Sequence, residues 1–158
     1  GCLTVLDTLA KSRRFQRPLD MGCGSGILAL AMAKTWRVPV VASDIDPESV
    51  RVTRLNACQN RVGPLVRAVC GRGYRSQAVA RSGPYDLIVA NILARPLIKM
   101  AGDLVRHLRP ARQGGGTAVL SGLLARDARW VAVAHEAWGL KLNRTLVRDG
   151  WATLVLSR

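Results

Sequence analysis

Aromatic side chains are scarce in this chain. They make up 4% of it, and Phe15 is the only phenylalanine. That scarcity excludes the mixed aromatic and basic runs on which many proteins stack unpaired bases. Acids are scarce too, 10 against 24 lysines and arginines, and the resulting formal charge of +14 favours an anionic partner, RNA especially. The bases are nearly all arginine and are scattered along the chain. A weak RNA contact through a basic surface and a merely solvated, Arg-rich surface therefore both stay open. Long apolar runs are missing: the longest, Ile27–Ala33, is far short of the ~20 residues of a bilayer span, so no membrane association is expected. No signal-peptide pattern opens the chain. Cysteines are few, and Cys2, Cys23, Cys58 and Cys70 form no C-x-x-C pair. Their spacing argues against a zinc site and a disulfide framework, and for a reducing, cytoplasmic setting. No metal site is expected.

What is present is a core. At 158 residues and 49% apolar content the chain is long enough for one packed domain. It opens on Gly1, without methionine, directly into a helical pattern, which suggests the C-terminal part of a longer protein.

The most informative stretch is Leu19-Asp-Met-Gly-Cys-Gly-Ser-Gly-Ile-Leu28. An apolar approach, an acid, glycines at alternate positions and a new helical pattern describe a strand turning tightly into a helix. Glycine serves where the backbone turns at φ > 0 or approaches a ligand closely. The helix that follows aims free N–H groups at whatever lies above the turn. Gly24-Ser-Gly26-Ile-Leu-Ala29 satisfies the G-x-G-x-x-A form of the dinucleotide fingerprint. Asp20, however, precedes Gly22, Gly24 and Gly26 in a D-x-G-x-G-x-G string, the pattern of S-adenosylmethionine (SAM) enzymes. An acid there could reach a cationic ligand group and would repel a pyrophosphate.

Helical and strand patterns alternate along the chain. Leu3–Lys11 reads as helix, Arg17–Met21 as strand, Ile27–Lys34 as helix and Val38–Ser43 as strand. Asp46-Pro47-Glu48 is a helix start, with Asp46 as cap, running to about Asn60. Leu65–Cys70 is a strand, Gly71–Gly83 a loop with room for a short helix, and Tyr85–Ala90 a strand apolar on both faces. Leu97, Met100, Ala101, Leu104, Val105 and Leu108 form one helical stripe, followed by strand Thr117–Ser121. The next helix, about Ala125–Trp138, is expected to turn Trp130, Val131, Ala134 and Trp138 to the core. Strands Lys141–Val147 and Trp151–Leu156 join through Asp149-Gly150, a tight-hairpin signal. The fold expected is α/β, with a doubly wound, mostly parallel seven-strand sheet ending in an antiparallel hairpin. Rossmann dehydrogenases end on a parallel strand; class I methyltransferases, which are Rossmann-like, end on this hairpin.

Asp44 ends the second strand beside the glycine turn, where a carboxylate accepts both hydroxyl hydrogens of a ribose. Capping the next helix is the alternative, but Asp46 fits that role better. Asn91 leaves the fourth strand in Ala90-Asn-Ile-Leu-Ala94. Its carbonyl there can align an amine's lone pair toward a methyl group, and the competing reading is a turn residue. Many amino-methylating enzymes continue Asn-Pro-Pro-Tyr at this point. Ile92 and Leu93 give no aromatic platform, which suits an aliphatic amine better than a planar base. His107 and His135 fall within helices and read as surface or packing residues.

Together these residues resemble the ribosomal protein L-eleven methyltransferase family. The matching stretches are Leu19–Ala29, Asp44–Pro47 with Asn56 and Asn60, Asp86–Pro96, Ser121-Gly-Leu-Leu124 and Gly150-Trp151. The resemblance implies a SAM-dependent catalytic domain over residues 1–158. It implies methylation of lysine side-chain and N-terminal amines of a large-subunit ribosomal protein, with an RNA or DNA amino-methyltransferase as the alternative. It places SAM contacts at Gly22, Asp44 and Asn91, with Gly24 in the shared glycine string and Asn91 at the site of transfer. The family's N-terminal substrate-recognition domain, and a threonine pair expected just before Cys2, are not in the chain. Cys70-Gly-Arg-Gly73 stands where an acid near the adenine is common.

Overall fold

A computed structural model describes residues Gly1–Arg158. The helices are α1 (Cys2–Ser12), α2 (Ile27–Trp36), α3 (Pro47–Gln59), α4 (Gln77–Ser82), α5 (Ala94–Lys99), α6 (Ala101–His107) and α7 (Ala128–Glu136). The strands are β1 (Pro18–Met21), β2 (Val40–Asp44), β3 (Val66–Cys70), β4 (Leu87–Asn91), β5 (Thr117–Leu124), β6 (Lys141–Arg148) and β7 (Trp151–Ser157). They form one seven-stranded sheet in the order β3-β2-β1-β4-β5-β7-β6. β3 through β5 run parallel, and β7 pairs antiparallel with both β5 and β6. Asp149 (φ 50°) and Gly150 (φ 78°) make the hairpin turn, both in the left-handed region that a two-residue type I′ turn requires.

The period of two along each strand divides the core. Leu87 and Val89 of β4 pack toward α1, α2 and α3, while Ile88 and Ala90 pack toward α4–α7. β4 lies between β1 and β5, and its residues Leu87–Ala90 are wholly buried, as a continuous apolar run predicts. Ladder bonds and packing on both faces hold the ends of these strands in fixed register. The loops that leave them are positioned by that rigid floor.

Three expectations need correction. The stripe Leu97–Leu108 is two helices, broken at Met100, whose amide bonds to Pro96 O at 3.0 Å. Strand β5 runs past Ser121 to Leu124, with a register shift against β7 between Leu120 and Leu123. Helix α7 is rotated from the predicted face: it buries Val131, Ala132 and His135, leaving Trp130 69% and Trp138 52% exposed. His135 fills a core position because its Nδ1 bonds to Val131 O at 2.7 Å and burial holds the imidazole neutral, its pKa below the ordinary 6.5.

Candidate active site

The glycine turn leaves β1 at its carboxyl end. Gly22 and Cys23 both donate backbone N–H to Ser43 O, at 2.7 and 3.1 Å, stitching the turn to β2. Gly22 sits at φ 76°, and a Cβ there would collide with Ile92 Cγ2. Only glycine lets the loops after β1 and β4 approach this closely. Two side chains of α3 hold the rest of the loop: Thr53 Oγ1 donates to Gly24 O at 3.0 Å and Asn56 Nδ2 to Ser25 O at 2.8 Å.

Asp44, the last residue of β2, is the hub of this end. Its Oδ2 accepts from Gly24 N at 2.9 Å and its Oδ1 from Asp46 N at 3.0 Å. A carboxylate has about four acceptor positions, so capacity remains on both oxygens. Asp46, not Asp44, caps α3, accepting from Glu48 N and Ser49 N. Three bonds to its carboxylate, that from Ser49 Oγ foremost, hold Asp46 below the usual Asp pKa.

Asp20 does not reach a ligand. It lies beneath the turn, 1% exposed, and its Oδ2 accepts from Ala29 N at 2.9 Å. It thus caps the first turn of α2, whose own cap residue, Gly26, has no side chain to offer. Oδ1 has no partner, and burial pushes the carboxyl up to about 7.

Two cavities open along the carboxyl ends of the strands. The larger, about 700 Å³, is walled by Gly22, Asp44, Ile45, Arg72, Leu93 and Lys99 among others. Its size is that of a site for a nucleoside-sized ligand. Ile45, 67% exposed, offers an apolar wall, and Asp44 the acceptor beside it. The smaller, about 450 Å³, is lined by Asn91, Ile92, Leu93, Ser121, Gly122 and Trp151. Ile92 and Leu93 wall both. Gly122, at φ 80°, brings β5 against this partition: a Cβ would lie 2.7 Å from Ile92 O and 2.8 Å from Ile92 N. Ile92 N donates to Ser121 O at 3.1 Å.

Of the residues singled out in the sequence, Gly22 and Asp44 line the larger cavity. Gly24 is not in its wall; it contributes the amide that fixes Asp44. Asn91 is exposed and lines the smaller cavity, across the shared partition from Asp44. Sequence reasoning gave no role to Ser121 or Trp151. Ser121 is the register partner of Asn91 on the adjacent parallel strand. Its hydroxyl is held by Ala152 O at 3.0 Å and Thr153 Oγ1 at 2.9 Å. Trp151, 53% exposed, is the first residue after the hairpin turn and supplies the aromatic wall that Ile92 and Leu93 do not. Only tertiary pairing brings it beside Asn91.

A family model described as ribosomal protein L11 methyltransferase (PrmA) matches residues 1–158. The chain is 46% identical to the ribosomal protein L11 methyltransferase of Rhizobium rhizogenes over 159 residues, covering 100% of this chain and 53% of that protein. It is 47% identical to that of Rhizobium meliloti, with the same coverage. The chain therefore spans about half the length of the curated relatives it matches. Among solved structures, ribosomal protein L11 methylase from Lactobacillus delbrueckii subsp. bulgaricus superposes with a TM-score of 0.86 at 27% identity, covering 99% of this chain and 77% of that one. An RNA methyltransferase from Salinibacter ruber, solved with S-adenosyl-L-homocysteine, shares the fold at a TM-score of 0.72 and 20% identity, covering 99% of this chain and 86% of that one. With its glycine turn, terminal hairpin and Asn91-Ile92-Leu93-Ala94 segment all in place, the chain belongs to the ribosomal protein L11 methyltransferase family.

Proposed function

We propose that residues 1–158 form a SAM-dependent catalytic domain that methylates lysine side-chain and N-terminal amines of a large-subunit ribosomal protein. The observation that carries this reading is the pair of adjoining cavities. Asp44 and the glycine turn stand in one, Asn91 in the other, and Ile92 and Leu93 form the wall between. SAM fits the larger: Asp44 retains acceptor capacity for ribose hydroxyls, Ile45 offers an apolar face, and the absent side chain at Gly22 leaves the backbone bare. When bound, SAM supplies a methyl group on a sulfonium centre, open to displacement by a neutral amine.

The chain's own task is positioning. The carboxamide oxygen of Asn91 accepts a hydrogen bond from the amine and directs its lone pair. Alignment of this kind is worth ~7–11 kcal/mol of barrier in favourable cases. Trp151 presents a ring to the incoming side chain. An alkylammonium is held against such a face by cation–π attraction, which fits a lysine arriving charged. No histidine lines either cavity, so water takes the proton before transfer.

A second reading, amino-methylation of RNA or DNA, gains from Trp151, which also gives a planar base something to pack on. Labelled SAM with purified ribosomal proteins and bulk RNA as acceptors tests both. Label in one large-subunit protein supports the first reading; label in RNA alone overturns it. Asn91→Ala sharpens the test within the full-length enzyme. Turnover is expected to fall by about 10- to 100-fold with little change in KM, as for an interaction made mainly in the transition state. Unchanged turnover in Asn91→Ala and Asn91→Asp alike returns Asn91 to a turn residue.

A further inference from the structure

A third cavity, about 490 Å³, lies at the opposite edge of the sheet, near the start of β5 and the end of β7. Arg106, His107, Arg112, Gln113 and Arg158 line it, and no acid does. In a protein with scattered bases this is a concentrated one. Two of the cavity's three arginines form no ion pair. Arg112 is exposed and forms none, and Arg158 uses Nη1 on the carbonyls of Val105 and Leu108, at 2.7 and 3.1 Å. Arg106 pairs with Asp103 at 2.7 Å and keeps further donors. Its guanidinium also sits 5.4 Å from the ring centre of Trp138. That ring rests on Gly102, where a Cβ would lie 2.8 Å from Cζ2, yet it stays half-exposed. Trp130, on α7, is more exposed still, while Trp138 sits in the turn that follows that helix.

We infer that this face binds a single-stranded nucleic acid, a phosphate entering the arginine-lined cavity and a base stacking on Trp138. Arginine forks match phosphate oxygens in geometry and charge. An exposed indole beside them is what distinguishes a nucleic acid from an acidic peptide, because every base has a face to stack. Arg106 belongs to both parts of the surface and fixes their spacing. The site is separate from methyl transfer and stands whether or not the proposed acceptor is right.

The probe is a fluorescently labelled oligoadenylate, titrated into the whole chain at several salt concentrations. Arg112→Glu is expected to weaken binding about tenfold and to lower the salt slope by about 0.7, the share of one phosphate contact on a single strand. Trp138→Leu is expected to weaken it about tenfold and to remove most of the tryptophan quenching that binding causes. Arg51→Glu carries the same charge change on α3, in the opposite layer, and is expected to cost less than threefold. Arg112 is an exposed turn residue, and circular dichroism verifies that the variant is folded. Equal losses in Arg112→Glu and Arg51→Glu would show diffuse attraction and overturn the site. So would full affinity in a folded Arg112→Glu, or displacement of the strand by polyglutamate of equal charge.

Discussion

The two edges of the sheet are built from opposite chemistry. At the carboxyl edge, backbone amides converge on acids: Gly24 and Asp46 on Asp44, Glu48 and Ser49 on Asp46, Ala29 on Asp20. At the amino edge, arginine side chains converge on a cavity with no acid in its wall. The single buried acid near that edge, Asp86, is occupied by the amides of Gln16 and Arg17 and by Arg109. The wall of the proposed cofactor cavity thus mixes signs, Asp44 and Asp103 beside Arg72, Arg75 and Lys99, whereas the cavity at the other edge has bases alone. Overall charge hides this division, and the fold reveals it.

The largest effect that breaks this comparison is expected from Gly122→Ala. The new Cβ meets the Ile92 backbone in a left-handed conformation that alanine disfavours. We expect a loss of about 2–4 kcal/mol by urea unfolding, from backbone strain and the displaced partition together. Oligoadenylate affinity at the amino edge should not change in the folded fraction. A loss below about 0.5 kcal/mol would mean that the segment after β4 is not clamped as the geometry implies.

Asp44→Ala comes next. Losing hydrogen bonds to a charged group costs about 1.5–3 kcal/mol, and here the Gly24 amide loses its partner as well. SAM affinity measured by calorimetry should fall by that amount while the melting transition survives. A variant that fails to melt cooperatively, but whose folded fraction binds normally, would make Asp44 structural.

Much of the carboxyl edge was legible because its signals are local. The glycine string, Asp44 and the Asp46-Pro47 cap are each specified within a few residues of the positions where they act. β4 was legible as central because apolar residues on both faces permit nothing else. What failed required knowing the neighbours. Helical period groups Trp130, Val131, Ala134 and Trp138 on one face, yet α7 turns by about a residue so that His135 enters the core. The hydropathy of histidine does not forecast that, because its burial depends on one bond to Val131 O. The break at Met100 and the arrival of Trp151 beside Asn91 are likewise tertiary. So is the arginine cavity, assembled from α6, the turn after it and the last residue of the chain.

The smallest effect concerns the acid that the carboxyl edge keeps dry. Asp20 has its ordinary pKa near 3.8 when unfolded and is pushed up to about 7 by burial in the fold. The folded state therefore binds the proton more tightly than the unfolded state between those values. Stability from this group is fully present below about pH 3.8 and is lost as pH rises through 7. Asp20→Asn removes the titration while keeping an oxygen for the Ala29 amide, and its NH₂ replaces the unpartnered Oδ1. The variant should gain on the parent as pH rises from 4.5 to 8, because only the parent loses the proton-linked stability over that range. His135 pulls the other way: its depressed pKa makes stability fall as pH drops below 6.5. That contribution is common to both proteins and cancels in the difference. Urea unfolding of parent and variant at the two pH values reads it directly. A difference independent of pH would mean that Asp20 is already ionised and solvated at neutral pH, so that the carboxyl edge holds a third working carboxylate rather than a buried cap.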